Sequence, residues 1–161
     1  DVYKRQGESE QQRLAELAHE LGIASRVSFL GSIPHRELPG YYLAAEALLM
    51  PSYSESFGLV GLEAQACGCP VIAADVAGLA SVVRDGATGF LVAGHEPADY
   101  ADRLRRLLDD PELARKLGRH GRQLAQGFSW ERTGDRLLGA FSPLIDSARP
   151  QLTVQAGART E

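Results

Sequence analysis

The sequence predicts an α/β domain with a parallel sheet and helices on both faces. Three observations predict it. Short strand-like runs, Ala47–Met50, Val71–Ala74 and Gly89–Val92, alternate with stretches of helical period. The first two runs are apolar throughout, as strands buried on both faces are. Strand–helix alternation of this kind builds right-handed βαβ units, which stack into a parallel sheet. The 161 residues suffice for one domain with a real core.

The elements follow in order. Residues 1–6, Asp-Val-Tyr-Lys-Arg-Gln, show no period and no cap, and are expected to be a non-native scar. Residues 10–21 read as an amphipathic helix with Leu14, Leu17, Ala18 and Leu21 on one face and Gly22 as its stop. Val27–Leu30 reads as a short strand ended by Gly31, and residues 34–45 as a helix. After the run to Met50, residues 52–56 form a loop and residues 57–66 a helix, with Gly68 at its C-terminal cap. Residues 76–79 read as a loop and residues 80–84 as a short helix before the strand Gly89–Val92. Helices are expected over 98–108, 111–126 and 130–147, and residues 148–161 as a disordered tail. No strand precedes the first helix, so an N-terminal truncation is expected.

Composition narrows the function. The chain is 44% hydrophobic and 24% charged, ordinary for a soluble domain. A net charge of -4 argues against nucleic acid as a partner, because phosphate neutralisation needs a basic surface. No apolar run is long enough to span a bilayer, and no secretory signal opens the chain. Cys67 and Cys69 are too close for an unstrained disulfide and lack the second pair of a zinc site, so both are expected to be buried thiols in a reducing cytoplasm.

The chemistry is concentrated between Pro51 and Pro70. A buried strand ends, a polar loop follows, and a helix opens at Phe57-Gly58. Ligands of open α/β sheets bind beyond the carboxyl ends of strands. A helix N-terminus offers unpaired N–H groups and positive dipole to a diphosphate, and Gly58 removes the side chain where a phosphate must approach. Glu55 precedes the helix and Glu63 lies inside it. Carboxylates accept hydrogen bonds from vicinal hydroxyls, so sugar diols are their natural partners. Either glutamate alone would be explained by capping or by solvation; the sequence around them argues otherwise.

Glu55 and Glu63 form a Glu-x7-Glu pair within Ser-Glu-Ser-Phe-Gly-Leu-Val-x-Leu-Glu-Ala-x-Ala-Cys-Gly-x-Pro-Val. This resembles the retaining GT-B glycosyltransferases that use nucleotide sugars, the group 1 or family 4 enzymes. Arg26–Gly31, Tyr42–Glu46, Val83–Val92 and Phe128-Ser129-Trp130 extend the resemblance over residues 7–147. It implies a Rossmann-like C-terminal domain of a GT-B fold, lacking its N-terminal acceptor domain. Residues 52–60 and 64–68 resemble the branch that transfers N-acetylglucosamine from UDP-GlcNAc to inositol phosphate in mycothiol biosynthesis.

The resemblance implies roles. Glu63 should bind the nucleotide's ribose. Glu55 should contact the donor hexose and serve catalysis. Ser56 and the backbone N–H groups of Phe57, Gly58 and Leu59 should hold the sugar and distal phosphate, and Gly31, Ser32 and Ile33 should meet the base. A structural Mg2+ should sit at Tyr42, Leu43, Ala45 and Cys69; the chemistry itself requires no cofactor. The complete enzyme would meet its UDP-sugar on this half, and a homodimer of it is expected. An Arg-x4-Lys pair upstream of residue 7 would clamp the diphosphate.

Departures from the pattern are Cys69 for Thr, Ala77-Gly78-Leu79-Ala80 for Gly-Gly-Leu/Ile-Pro, which should leave that loop less constrained, and Gly61, which costs the helix about 1 kcal/mol. His19, His35, His95 and His120 have no metal or acid–base partner at useful spacing and should be solvated. Arg103, Arg105 and Arg106 should form ion pairs on a helix face. Trp130 should anchor the last helix between domains, with Leu137, Leu138 and Phe141 incompletely covered by this domain. Rival readings are a family member with a lipid, polysaccharide or sucrose-type acceptor, a non-catalytic nucleotide-sugar-binding module, and a phosphosugar epimerase of the same two-domain shape. The Glu-x7-Glu pair favours a transferase.

Overall fold

A computed structural model describes residues 2–148; the expected tail beyond them, from residue 149, lies outside the described residues. The chain divides between Leu38 and Pro39 into two compact units.

In the first unit, helix α1 runs Val2–Glu20, so the helical period begins well before residue 10 and includes the segment read as a scar. It stops where predicted, at a turn in which Gly22 takes φ +68° and Ile23 N–H donates to the Ala18 carbonyl. A 3-10 turn, Ala24–Arg26, follows. Val27–Leu30 is not a strand. Its backbone starts extended, with Val27 at φ -111° and ψ 128°, but finds no ladder partner among the described residues. Apolar, β-branched sequence favours the extended conformation; a strand also needs a neighbour.

The first unit closes with a 3-10 turn, His35–Glu37, and its last residue opens α2, Leu38–Ala44. The second unit holds the sheet. Strands β1 (Leu48–Met50), β2 (Val71–Ala74) and β3 (Gly89–Val92) form a parallel sheet in the order β1-β2-β3. The register places Met50 opposite Ala73 and Ile72 opposite Phe90. Helix α3 (Leu59–Ala66) links β1 to β2, and α4 (Ala77–Ala80) follows β2. Helices α5 (Pro97–Asp109), α6 (Pro111–Ala125) and α7 (Trp130–Ala148) complete the chain.

Alternation along the strands divides the core. On one face, α3 sits over Met50 and Val71. A Cβ on Gly61 would come within 3.1 Å of Met50 Sδ, so the glycine that weakens the helix lets it lie close to the sheet. On the other face, Ile72, Phe90 and Val92 pack with Tyr100 and Leu107 of α5 and Leu117 of α6. The expected helices on both faces are therefore present. Helix α6 also reaches α3: a Cβ on Gly118 would collide with the Gly68 carbonyl, and one on Gly121 would meet the Gln65 side chain. Gln65 is fully buried and donates to the carbonyls of Val82 at 2.8 Å and Gly61 at 3.3 Å, tying α3 to the chain beyond α4.

Two elements are displaced from the sequence reading. Residues 77–79, expected as loop, form α4 together with Ala80, and residues 81–84, expected to continue a helix from Ala80, are not helical. The cause is Val76, which is extended at φ -120° and ψ 152° yet accepts from Leu79 N–H and Ala80 N–H, and so starts the helix early.

Candidate functional site

The site is built at the carboxyl end of β1. Pro51 closes the strand, and the chain then runs through Ser52–Phe57 to Gly58. Gly58 takes φ 92° and ψ 43°, a left-handed conformation. A Cβ there would also lie 2.7 Å from Leu79 Cδ2 and 3.0 Å from Val82 Cγ2. Conformation and space both demand glycine. Such a residue cannot continue a helix, so Gly58 becomes the N-cap and α3 begins at Leu59, not at Phe57 as the sequence suggests. The Gly58 carbonyl accepts the first helical bond, from Leu62 N–H at 3.0 Å. No side chain caps this end. The N–H groups of the first turn and the positive end of the helix dipole are thus presented together.

The two glutamates flank this turn. Glu55 is half-buried, and its Oε1 accepts from the Ser56 N–H at 3.0 Å. Behind it, Gly78 presses on the backbone of Glu55 and Ser56, so closely that a Cβ on Gly78 would overlap the Glu55 carbonyl. The segment expected to be less constrained is helical and packed directly against the loop. Glu63 is half-buried inside α3, and the Tyr42 phenol donates to its Oε2 at 3.5 Å. Burial, and then the neighbouring Glu63 charge, push the Tyr42 hydroxyl above its ordinary pKa. Tyr42 therefore remains a protonated donor, aimed at a carboxylate that can only accept.

Of the remaining predicted residues, Ser56 is exposed and Leu59 lies largely open. Phe57 is half-buried and meets Phe128 edge to face, with centroids 5.7 Å apart. Gly31, Ser32 and Ile33 belong to the first unit, where Gly31 takes φ +65° and lines a shallow groove with Phe29, Leu30 and Leu14.

Of the expected Mg2+ ligands, the Cys69 side chain does not fit that ion. Cys69 is 2% exposed, and burial pushes its thiol up to about 11. It is a neutral S–H at physiological pH, directed at the carbonyls of Pro70 (3.6 Å) and Ala45 (3.9 Å). A hard cation takes oxygen ligands, and here one supplied position is a protonated sulfur that faces another member of the set. Both cysteines are free thiols, but only Cys69 is buried; Cys67 is half-exposed.

Sequence reasoning missed several contributors. His95 is half-buried, not solvated: it stacks on Tyr53 and lies 3.2 Å from the Ser52 carbonyl. His120 is also half-buried, 3.2 Å from the Ala87 carbonyl. His95 follows β3 at the same sheet end as the Glu55 loop, which was the available signal. Arg105 pairs with Asp102 as expected, whereas Arg103 and Arg106 lie over the Phe90 ring. Trp130 is exposed rather than packed against the described residues.

The family profile described as "Glycosyl transferases group 1" matches residues 6–124, well over half of the chain. The chain belongs to this family. It is 54% identical over 132 residues to D-inositol 3-phosphate glycosyltransferase of Nocardia farcinica, covering 82% of this chain and 29% of the relative. The same-named protein of Thermobifida fusca is 47% identical over 136 residues, covering 84% and 31%. This group 1 chain thus spans about a third of the length of the relatives it matches. Among solved structures, sucrose-phosphate synthase of Thermosynechococcus elongatus superposes with a TM-score of 0.79 at 40% identity, covering 87% of this chain and 35% of that one. HepE of Anabaena, in complex with UDP and glucose, superposes at 0.77 with 27% identity, covering 85% and 38%. The domain is α/β and Rossmann-like, as in these GT-B neighbours. No helix among the described residues is long and apolar enough to cross a membrane.

Proposed function

We propose that this chain is the donor-binding half of a retaining glycosyltransferase that moves N-acetylglucosamine from UDP-GlcNAc to an inositol phosphate. One observation carries the reading: the Gly58-capped N-terminus of α3 opens at the carboxyl end of β1 with Glu55 before it and Glu63 inside it. The names of the Nocardia and Thermobifida relatives support the acceptor, and UDP in the HepE complex supports the nucleotide.

In this reading the α3 N-terminus receives the diphosphate. The N–H groups of Phe57, Gly58 and Leu59 compensate the charge that grows on the leaving group as the glycosidic bond breaks. Glu63, oriented by Tyr42, accepts hydrogen bonds from the ribose diol. Glu55, held by the Ser56 N–H and the Gly78 contact, accepts from hexose hydroxyls. The acceptor hydroxyl attacks from the face the diphosphate leaves, so retention needs no nucleophile from this chain. Turnover belongs to a polypeptide of the relatives' length, which also brings the acceptor site.

Titration of the purified chain with UDP tests the site. Glu63→Gln should weaken UDP binding by ~1.5–3 kcal/mol, the range for a hydrogen bond to a charged group. An unchanged dissociation constant would remove Glu63 from the ribose. In the complete enzyme, Glu55→Gln should lower turnover with UDP-GlcNAc and inositol 3-phosphate more than it lowers UDP affinity. The reverse pattern would exclude the hexose role. A complete protein that binds the donor but never transfers it would be a binding module instead.

A further inference from the structure

Tyr53 and His95 come from the loops that leave β1 and β3. Their rings stack with centroids 4.0 Å apart and planes 12° apart. His95 Nε2 lies 3.2 Å from the Ser52 carbonyl. A carbonyl only accepts, so Nε2 carries the proton and donates. The histidine loop is itself anchored: the buried Tyr100 of α5 donates its phenol to the Gly94 carbonyl at 3.3 Å. β2 lies between β1 and β3. The stack and the hydrogen bond therefore tie two loops across the middle strand, and they grip adjacent residues just ahead of Glu55. A hydrogen bond to Ser52 limits how far the segment moves, and a parallel ring stack on Tyr53 limits how it twists.

We propose that His95 is a positioning residue for the donor sugar. It holds the Ser52–Tyr53 segment so that the Glu55 carboxylate is presented beside the open α3 N-terminus, toward the hexose of a nucleoside diphosphate sugar. This rests on the donor-site reading above. His95 touches no substrate; it acts through the loop. The consequence is a split between ligands: UDP, which lacks the hexose, uses the helix N-terminus and Glu63, whereas UDP-GlcNAc also uses Glu55.

The test is NMR titration of the full 161-residue chain with UDP and, separately, UDP-GlcNAc, alongside thermal melts. His95→Ala should weaken UDP-GlcNAc about fivefold to tenfold and UDP less than about twofold, the loss of one positioning hydrogen bond and its stack. His95→Gln, which keeps an N–H donor, should fall between wild type and His95→Ala. The wild-type histidine spectrum should show the Nε2–H tautomer. Equal weakening of both ligands, in step with a lower Tm, would reduce His95 to a structural residue and overturn the proposal. Glu63→Gln separates the layers. If wild type binds both ligands, Glu63→Gln weakens both, and His95→Ala leaves their ratio unchanged, only the role of His95 falls. If wild type binds neither at millimolar ligand, the donor-site reading falls and takes this inference with it.

Discussion

Helices α6 and α7 carry the same kind of apolar stripe and meet opposite fates. In α6, Leu117 is fully buried, and Leu113 and Ala114 pack on the cluster around Ile72 and Phe90. In α7, Leu137, Leu138, Phe141 and Leu144 are each more than half exposed. Glycines mark the difference. Gly118 and Gly121 let α6 approach the Gly68 backbone and Gln65, whereas Gly134 and Gly139 of α7 have nothing within 4 Å of where a Cβ would stand. A stripe of helical period says that a face prefers burial. Close backbone approach shows where a partner has been met. Through Gln65 and Gly68, α6 braces the helix that carries Glu63; the glycines of α7 make no such close approach.

The largest effect that tests this contrast is Leu117→Ala. Truncating a fully buried leucine should cost ~3–5 kcal/mol in urea denaturation, because the surrounding cluster cannot close the cavity. A loss below ~1 kcal/mol would mean that α6 is not docked as described. Gly118→Ala should follow at ~3 kcal/mol, the upper end for overpacking, since the obstruction is the Gly68 backbone and not a side chain that can turn away. A neutral result would show that α6 sits farther from the α3–β2 turn.

The same turn carries a titratable group. The Cys69 thiol has an ordinary value of 9.0 and is held at about 11 by burial. The folded state keeps its proton more tightly than the unfolded chain does. Its stabilising contribution is therefore full below pH 9 and is lost as pH rises toward 11. The difference between wild type and Cys69→Ala should shrink over that window by roughly 2 kcal/mol. A constant difference would place Cys69 in contact with water. The smallest effect belongs to α7. Leu138→Ser should change the stability of this chain by less than ~0.5 kcal/mol, as exposed positions do. A loss above ~1 kcal/mol would show that the stripe is covered in solution.

Much of this architecture was readable from period and punctuation. Strands β2 and β3 fall where apolar runs bounded by Pro70 and Gly89 put them, and α5 and α6 open at Pro97 and Pro111, both suited to a first helical turn. The motif around Glu55 and Glu63 was legible because a phosphate turn between two carboxylates needs specific residue types at short spacing. Local chemistry of that kind is written in consecutive residues. What the tertiary structure alone decided depends on residues far apart in sequence. Val27–Leu30 has the composition of a strand but no ladder partner among the described residues. Gly61 looked like a defect until Met50 appeared beneath it. His95 looked solvated until the β3 loop brought it onto Ser52 and Tyr53, and Tyr42 showed no tie to Glu63 until α2 placed its phenol there. Propensity and motif act over a few residues and are visible in one dimension, whereas hydrogen-bond partners, close approaches and burial belong to pairs of segments and exist only once the chain has folded.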